Sequence, residues 1–150
     1  MKKMNNKGFS LVELIVVVLI MAIIAVALAP QVMRWVENSR KSNDIEAYSS
    51  LVNALQVAGT DEDVLKLTGF PYTITFNSSG VGGLNTTGAL YTAVKRTLPE
   101  LSDVASMKVQ GDWSGTSLMN GTNFEIKVSK SPDGSGLLVE QTYKPKKIFS

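Results

Sequence analysis

From Phe9 to Ala29 the chain is apolar at every position except Ser10 and Glu13. A run of this length is the strongest constraint the sequence carries. As a helix it extends about 31 Å, enough to cross the hydrocarbon core of a bilayer. Lys2, Lys3 and Lys7 precede it. By the excess of positive charge on the cytoplasmic side, they predict that the N-terminus stays inside and the remainder faces outward. The rival expectation is a cleaved secretory signal, for which Ala27, Leu28 and Ala29 offer only a weak small-residue site.

The helical pattern continues past the apolar run. Val32 and Val36 prolong one apolar face, and Ile45, Tyr48, Leu51, Val52 and Leu55 recur at three- and four-residue spacing. Arg34, Glu37, Arg40, Lys41 and Asp44 are spaced for opposite-charge pairs along the helix. Gly59 is the expected stop. One helix of about 50 residues is therefore predicted, apolar all round in its first half and one-sided in its second.

Beyond Gly59 the pattern is that of a small mixed domain. Thr60 to Asp63 reads as the cap and acidic first turn of a short helix ending at Gly69. Tyr72 to Phe76 reads as a strand, Asn77 to Gly88 as a loop, and Ala89 to Leu98 as a second short helix closed by Pro99. Three further strands are expected at Met107–Gln110, Phe124–Lys130 and Leu137–Tyr143. The Ser131–Gly136 segment (SPDGSG) folds the last two into an antiparallel hairpin. The expected core includes Ile45, Tyr48, Leu55, Phe76, Phe124, Ile126, Val128, Leu138 and Tyr143. The fold class is α+β, a long N-terminal helix packed on a C-terminal antiparallel sheet.

Composition narrows the chemistry. The chain has 150 residues, no cysteine and no histidine, and a formal net charge of +2. Disulfides, thiol nucleophiles, imidazole bases and zinc sites built on Cys or His are excluded. Without Lys2, Lys3 and Lys7, twelve basic residues stand against thirteen acidic ones. A near-neutral chain of this kind gives little electrostatic drive toward nucleic acid. No cofactor or metal site is expected. Asp61, Glu62 and Asp63 lack the spaced oxygen pattern of a calcium loop. Asp103, Asp112 and Lys108, the residues an enzyme would have to draw on, form no motif. The Asn77, Asn85 and Asn120 sequons read as polar turns, and Lys144, Lys146 and Lys147 as a solvated tail.

The most specific segment is Lys7-Gly8-Phe9-Ser10-Leu11-Val12-Glu13-Leu14. Glu13 is the unusual member, because a carboxylate near the start of an apolar helix is costly and points to function. The segment resembles the cleavage and methylation site of type IV prepilins and type II secretion pseudopilins. The resemblance covers residues 7–30, including Pro30, which matches a common helix-interrupting proline; beyond that it extends only to the overall architecture. It implies cutting by a prepilin peptidase after Gly8 and N-methylation of the new terminus at Phe9. Residues 1–8 would be the leader, 9–30 the transmembrane and filament-core helix, and 31–150 the head with the amphipathic half of the helix.

In the same resemblance, Glu13 helps to recruit the next subunit. Pro30 either marks the exit of the membrane helix or, by removing a backbone donor to the carbonyl of Val26, permits the helix to loosen during packing. It implies a structural subunit, not an enzyme. The subunit would reside in the bacterial cytoplasmic membrane and then in a surface pilus serving adhesion, twitching motility or DNA uptake. Its partners would be further copies of the chain, the peptidase, and an assembly platform with its ATPases. A pseudopilin of a secretion or competence system is the alternative within the same class, and a membrane-anchored binding domain or enzyme the remote one. The head of roughly 90 residues after Gly59 and the missing calcium-loop pattern favour the pilus subunit. The absence of Cys departs from those pilins that close a C-terminal disulfide loop.

Overall fold

A computed structural model describes residues 8–101, 107–113 and 124–142. Within them the order of elements is α1 (Leu11–Ala58), α2 (Glu62–Leu65), β1 (Tyr72–Asn77), β2 (Gly80–Gly82), α3 (Ala89–Thr97), β3 (Phe124–Lys130) and β4 (Leu137–Gln141). The chain divides into two units, Met1–Val36 and Glu37–Ser150. The expected α+β architecture is present: a long N-terminal helix and a four-stranded antiparallel sheet.

The first unit holds the apolar part of α1, whose side chains are exposed throughout. Among the described residues, α1 is the one helix long and apolar enough to cross a membrane. It runs through Pro30 without ending. Proline has no N–H to donate to the carbonyl of Val26, one turn earlier.

In the second unit, α1 becomes one-sided. Tyr48, Leu51, Val52 and Leu55 are buried, as their helical spacing predicts, and Ile45 packs half-buried against them. The sheet order is β2-β1-β3-β4, each neighbour antiparallel. Ile74 and Phe76 of β1 pair with Ile126 and Phe124 of β3, so four apolar side chains face the core together. Phe124 is the centre of an aromatic cluster. Its ring centroid lies 5.6 Å from Tyr48, 5.3 Å from Trp113 and 6.0 Å from Phe76. Contacts at these separations add to simple burial.

Gly59 ends α1, but for a steric reason. A Cβ there would lie 2.9 Å from the amide nitrogen of Leu137. The glycine therefore lets the start of β4 approach the helix end closely. The last turn is closed by Thr60, whose hydroxyl donates to the Val57 carbonyl at 2.8 Å.

Several expectations need correction. The short helix after Asp61 stops at Leu65, well before Gly69. The segment 77–88 is not all loop, because Gly80–Gly82 returns along β1 as β2. Met107–Gln110 is not a strand; the Val109 amide reaches the Asn77 carbonyl at 3.0 Å, and the amides that follow turn to α1 side chains. β4 ends at Gln141, and Leu138 is 46% exposed, while Leu137 and Val139 pack against the core. Val128 faces the core and is paired with Val139, so the inward phase of β4 is the odd-numbered one. Tyr143, also expected in the core, lies outside the described residues, as do Asp103, Asn120 and the Lys144–Lys147 tail.

The turns behave as their residues suggest. Asn77 and Asn85 accept from the backbone amides of Ser79 and Thr87, two residues on. In the β3–β4 turn, Asp133 accepts from the Ser135 amide at 3.1 Å. Hydrogen bonds from the Ser131 side chain and from Ser135 hold its carboxyl down at about 2.

Candidate processing and assembly segment

The first helical residue is Leu11, which makes Ser10 the N-cap of α1. The Ser10 amide donates to Glu13 Oε2 at 3.0 Å, and the Glu13 amide donates to Ser10 Oγ at 3.3 Å. This is the reciprocal capping box of an S-x-x-E sequence, and it satisfies two of the amides that every helix N-terminus leaves without partners. Glu13 therefore has an intrachain role that its position in an apolar run does not by itself suggest. The signal was nonetheless present, as Ser10 and Glu13 at the right spacing before a long apolar stretch.

Gly8 and Phe9 precede the helix, outside the capping box. Phe9 is 92% exposed. A Cβ added at Gly8 would have no described atom within 4 Å. The described chain thus places no steric demand for glycine at this position. Pro30 lies within α1, seventeen residues after Glu13, so the two proposed assembly residues occupy separate stretches of one helix.

Further along α1, the charged residues do not pair along the helix as expected. The two ion pairs between described residues are Lys66–Glu62 and Arg96–Asp61. Asp44 is buried at 1% exposure and accepts from the Gln110 amide at 2.8 Å, the Gly111 amide at 2.7 Å and the Trp113 Nε1 at 2.8 Å. Glu37 accepts from the Asp112 amide. Lys41 lies over the Trp113 ring at 5.6 Å. These three positions of α1 hold the 107–113 segment against the helix by charge-assisted hydrogen bonds and a cation–π contact. Gly111 permits the approach, since a Cβ there would meet Lys41 Cγ at 2.7 Å.

The acidic triplet after Gly59 is a helix start, as read from the sequence. Asp61 caps α2 by accepting from the Asp63 amide at 3.0 Å, and its other oxygen is 2.7 Å from Arg96 of α3. Asp61 is thereby committed to joining two short helices.

Residues 3–29 match the prokaryotic N-terminal methylation motif. The match contains Gly8, Phe9, Ser10 and Glu13 and ends one residue before Pro30. Comparison with curated proteins and with solved structures gives no significant match. The matched motif is the processing signal of prepilins and pseudopilins; it implies processing by prepilin peptidase and points to a structural protein. With the apolar helix behind it, the signal is consistent with a membrane-anchored precursor and supports a type IV pilin or pseudopilin-like protein.

Proposed function

We propose that this chain is the structural subunit of a type IV pilus. Residues 1–8 are its leader, 9–30 its membrane anchor and later filament core, and 31–150 its exposed head. Prepilin peptidase cuts between Gly8 and Phe9, and the new Phe9 amine is methylated. An assembly platform with its ATPases then draws the subunit from the cytoplasmic membrane into a surface filament. There Glu13 meets the Phe9 amine of a neighbouring copy, and Pro30 gives the helix local freedom.

One observation carries this reading: residues 3–29 match the prokaryotic N-terminal methylation motif and run into the long apolar helix that starts at Leu11, and a cut after Gly8 would leave that helix on the mature protein. An ordinary signal peptidase would discard such a segment. No described atom near Gly8 calls for a glycine there, which supports recognition by another protein as its reason. A buried Glu13 would need a cation in an apolar bundle, and the Phe9 amine is the one the motif supplies at a similar depth. The same motif serves pseudopilins of secretion and competence systems, and the size of the head favours the pilus subunit.

The test combines two measurements. Electron microscopy of material sheared from the cell surface should show filaments containing this chain. Intact-mass analysis of that material should give a chain starting at methylated Phe9. A surface form that retains Lys7 removes the proposal. Cleaved protein that functions only inside an envelope-spanning secretion apparatus, with no surface filament, replaces the pilus subunit by the pseudopilin.

A further inference from the structure

Trp35 stands out because it is left in the open. It is 67% exposed on α1, whereas the chain's other tryptophan, Trp113, is buried against Phe124. Met33 and Val36 beside it are also exposed, and Arg34 sits between Met33 and Trp35. Leaving a ring of this size in water forfeits the burial that normally accounts for a tryptophan's place in a sequence.

The helix supplies a distance. From Glu13 to Trp35 is 22 residues, or about 33 Å along the axis. The hydrocarbon core of a bilayer is about 30 Å thick. With the Glu13 carboxylate at one boundary, the Trp35 ring reaches the other. Between them the one interruption of the apolar pattern before Arg34 is Pro30-Gln31, in the last turns before that boundary. Indole rings concentrate at such boundaries, where the ring is half in hydrocarbon and the N–H meets headgroup oxygens. A neighbouring guanidinium can bury its stem and present its charge to lipid phosphate.

We infer that Trp35, with Arg34 beside it, anchors the membrane-inserted chain at the outer boundary, its indole seated in the headgroup and carbonyl layer of the phospholipid bilayer. The inference rests on the membrane-anchored reading of α1. It extends that reading by carrying the outer end of the span past residue 30 to Trp35, six residues beyond the apolar run that closes at Ala29. A second copy of the chain packed over the same ring is the competing occupant.

The full chain is reconstituted in vesicles of phosphatidylethanolamine and phosphatidylglycerol. In one series the acyl chains carry bromine near the glycerol end, in another near the methyl end. Trp35→Phe supplies the signal of Trp113, which is subtracted. The expected result is roughly twofold stronger quenching of Trp35 by the shallow bromines than by the deep ones. Equal or stronger quenching by the deep bromines overturns the inference, because the ring would then lie in the hydrocarbon. No quenching above the Trp35→Phe background in chains that float with the vesicles also overturns it, in favour of water or a second copy as the occupant. Both results leave the anchor reading standing. A chain that fails to float with the vesicles overturns the anchor reading as well.

Discussion

The indole Nε1 of Trp113 lies 2.8 Å from a carboxylate oxygen of Asp44, across 69 residues of sequence, and both side chains are buried. The same carboxylate accepts two backbone amides, so a buried charge is satisfied by three donors from one short segment. Buried charges persist where such partners are supplied, and removing the acceptor leaves the donors to find another.

Asp44→Ala should therefore cost the head on the order of 2–4 kcal/mol in denaturant unfolding, with a change in the near-ultraviolet signal of Trp113. Asp44→Asn should fall between, since one oxygen remains while the new amide group faces a donor. A loss below about 1 kcal/mol for Asp44→Ala would mean that the 107–113 segment is held by other contacts.

Tyr48 gives the head a specific alkaline response. Burial pushes its hydroxyl from the ordinary 10.0 up to about 12. Below the ordinary value both folded and unfolded chains keep the proton, and the contribution to stability is complete. Between the two values the unfolded chain ionises and the folded chain does not. Stability therefore falls as pH rises through this window, with a slope approaching about 1.4 kcal/mol per pH unit. Tyr48→Phe should flatten the profile there by that amount relative to the wild type. Identical slopes for both proteins would show that Tyr48 ionises freely in the folded state.

A fragment beginning at Arg34 should be soluble, monomeric and folded. The buried residues Tyr48, Leu51, Leu55, Phe76, Phe124, Ile126 and Val128 all lie beyond that point, and their unit begins at Glu37. Circular dichroism and sedimentation read the outcome. Within the fragment, Leu55→Ala should cost about 2–5 kcal/mol, as expected for a fully buried leucine. An unfolded or aggregated fragment would show that the head depends on the apolar helix.

Much of this fold can be read from residue pattern, and the departures share a cause. The α3 helix and the β3–β4 hairpin follow from local signals, Pro99 and the SPDGSG turn, and α1 ends where Gly59 predicts, although the glycine there serves the close approach of Leu137. What local signals miss is set by distant partners. β2 consists of Gly80, Val81 and Gly82 and exists because β1 offers it a ladder, not because its residues favour extension. The phase of β4 is decided by its register with Val128, so choosing Leu138 over Leu137 and Val139 inverted one strand. Asp44 looked like one charge of a helical ladder because its three donors lie 66 to 69 residues away. In the processing segment, the motif from Lys7 to Leu14 is legible as a resemblance, and the S-x-x-E spacing encodes the hydrogen bonds between Ser10 and Glu13.

That capping box makes the role of Glu13 separable into two parts. Its carboxylate accepts the Ser10 amide within the same chain at 3.0 Å, and it is also the group proposed to meet the Phe9 amine of a neighbour. Glutamine can keep the cap, since its side-chain oxygen also accepts, but carries no charge. Alanine loses both. Peptide cleavage should continue in Glu13→Gln and Glu13→Ala, because the proposed scissile bond between Gly8 and Phe9 lies outside the altered position, and membrane insertion and the head should be intact in both. If pairing with the neighbouring amine aligns the incoming subunit, both variants should give little or no filament when present as the only subunit. The measurement is the yield of sheared filament against total cleaved protein in the membrane fraction. Filament yield near normal for Glu13→Gln but lost for Glu13→Ala would assign the requirement to the helix cap, worth about 1 kcal/mol, and not to the charge. Normal yield from both would refute the pairing while leaving the processing signal at Gly8 and Phe9 in place.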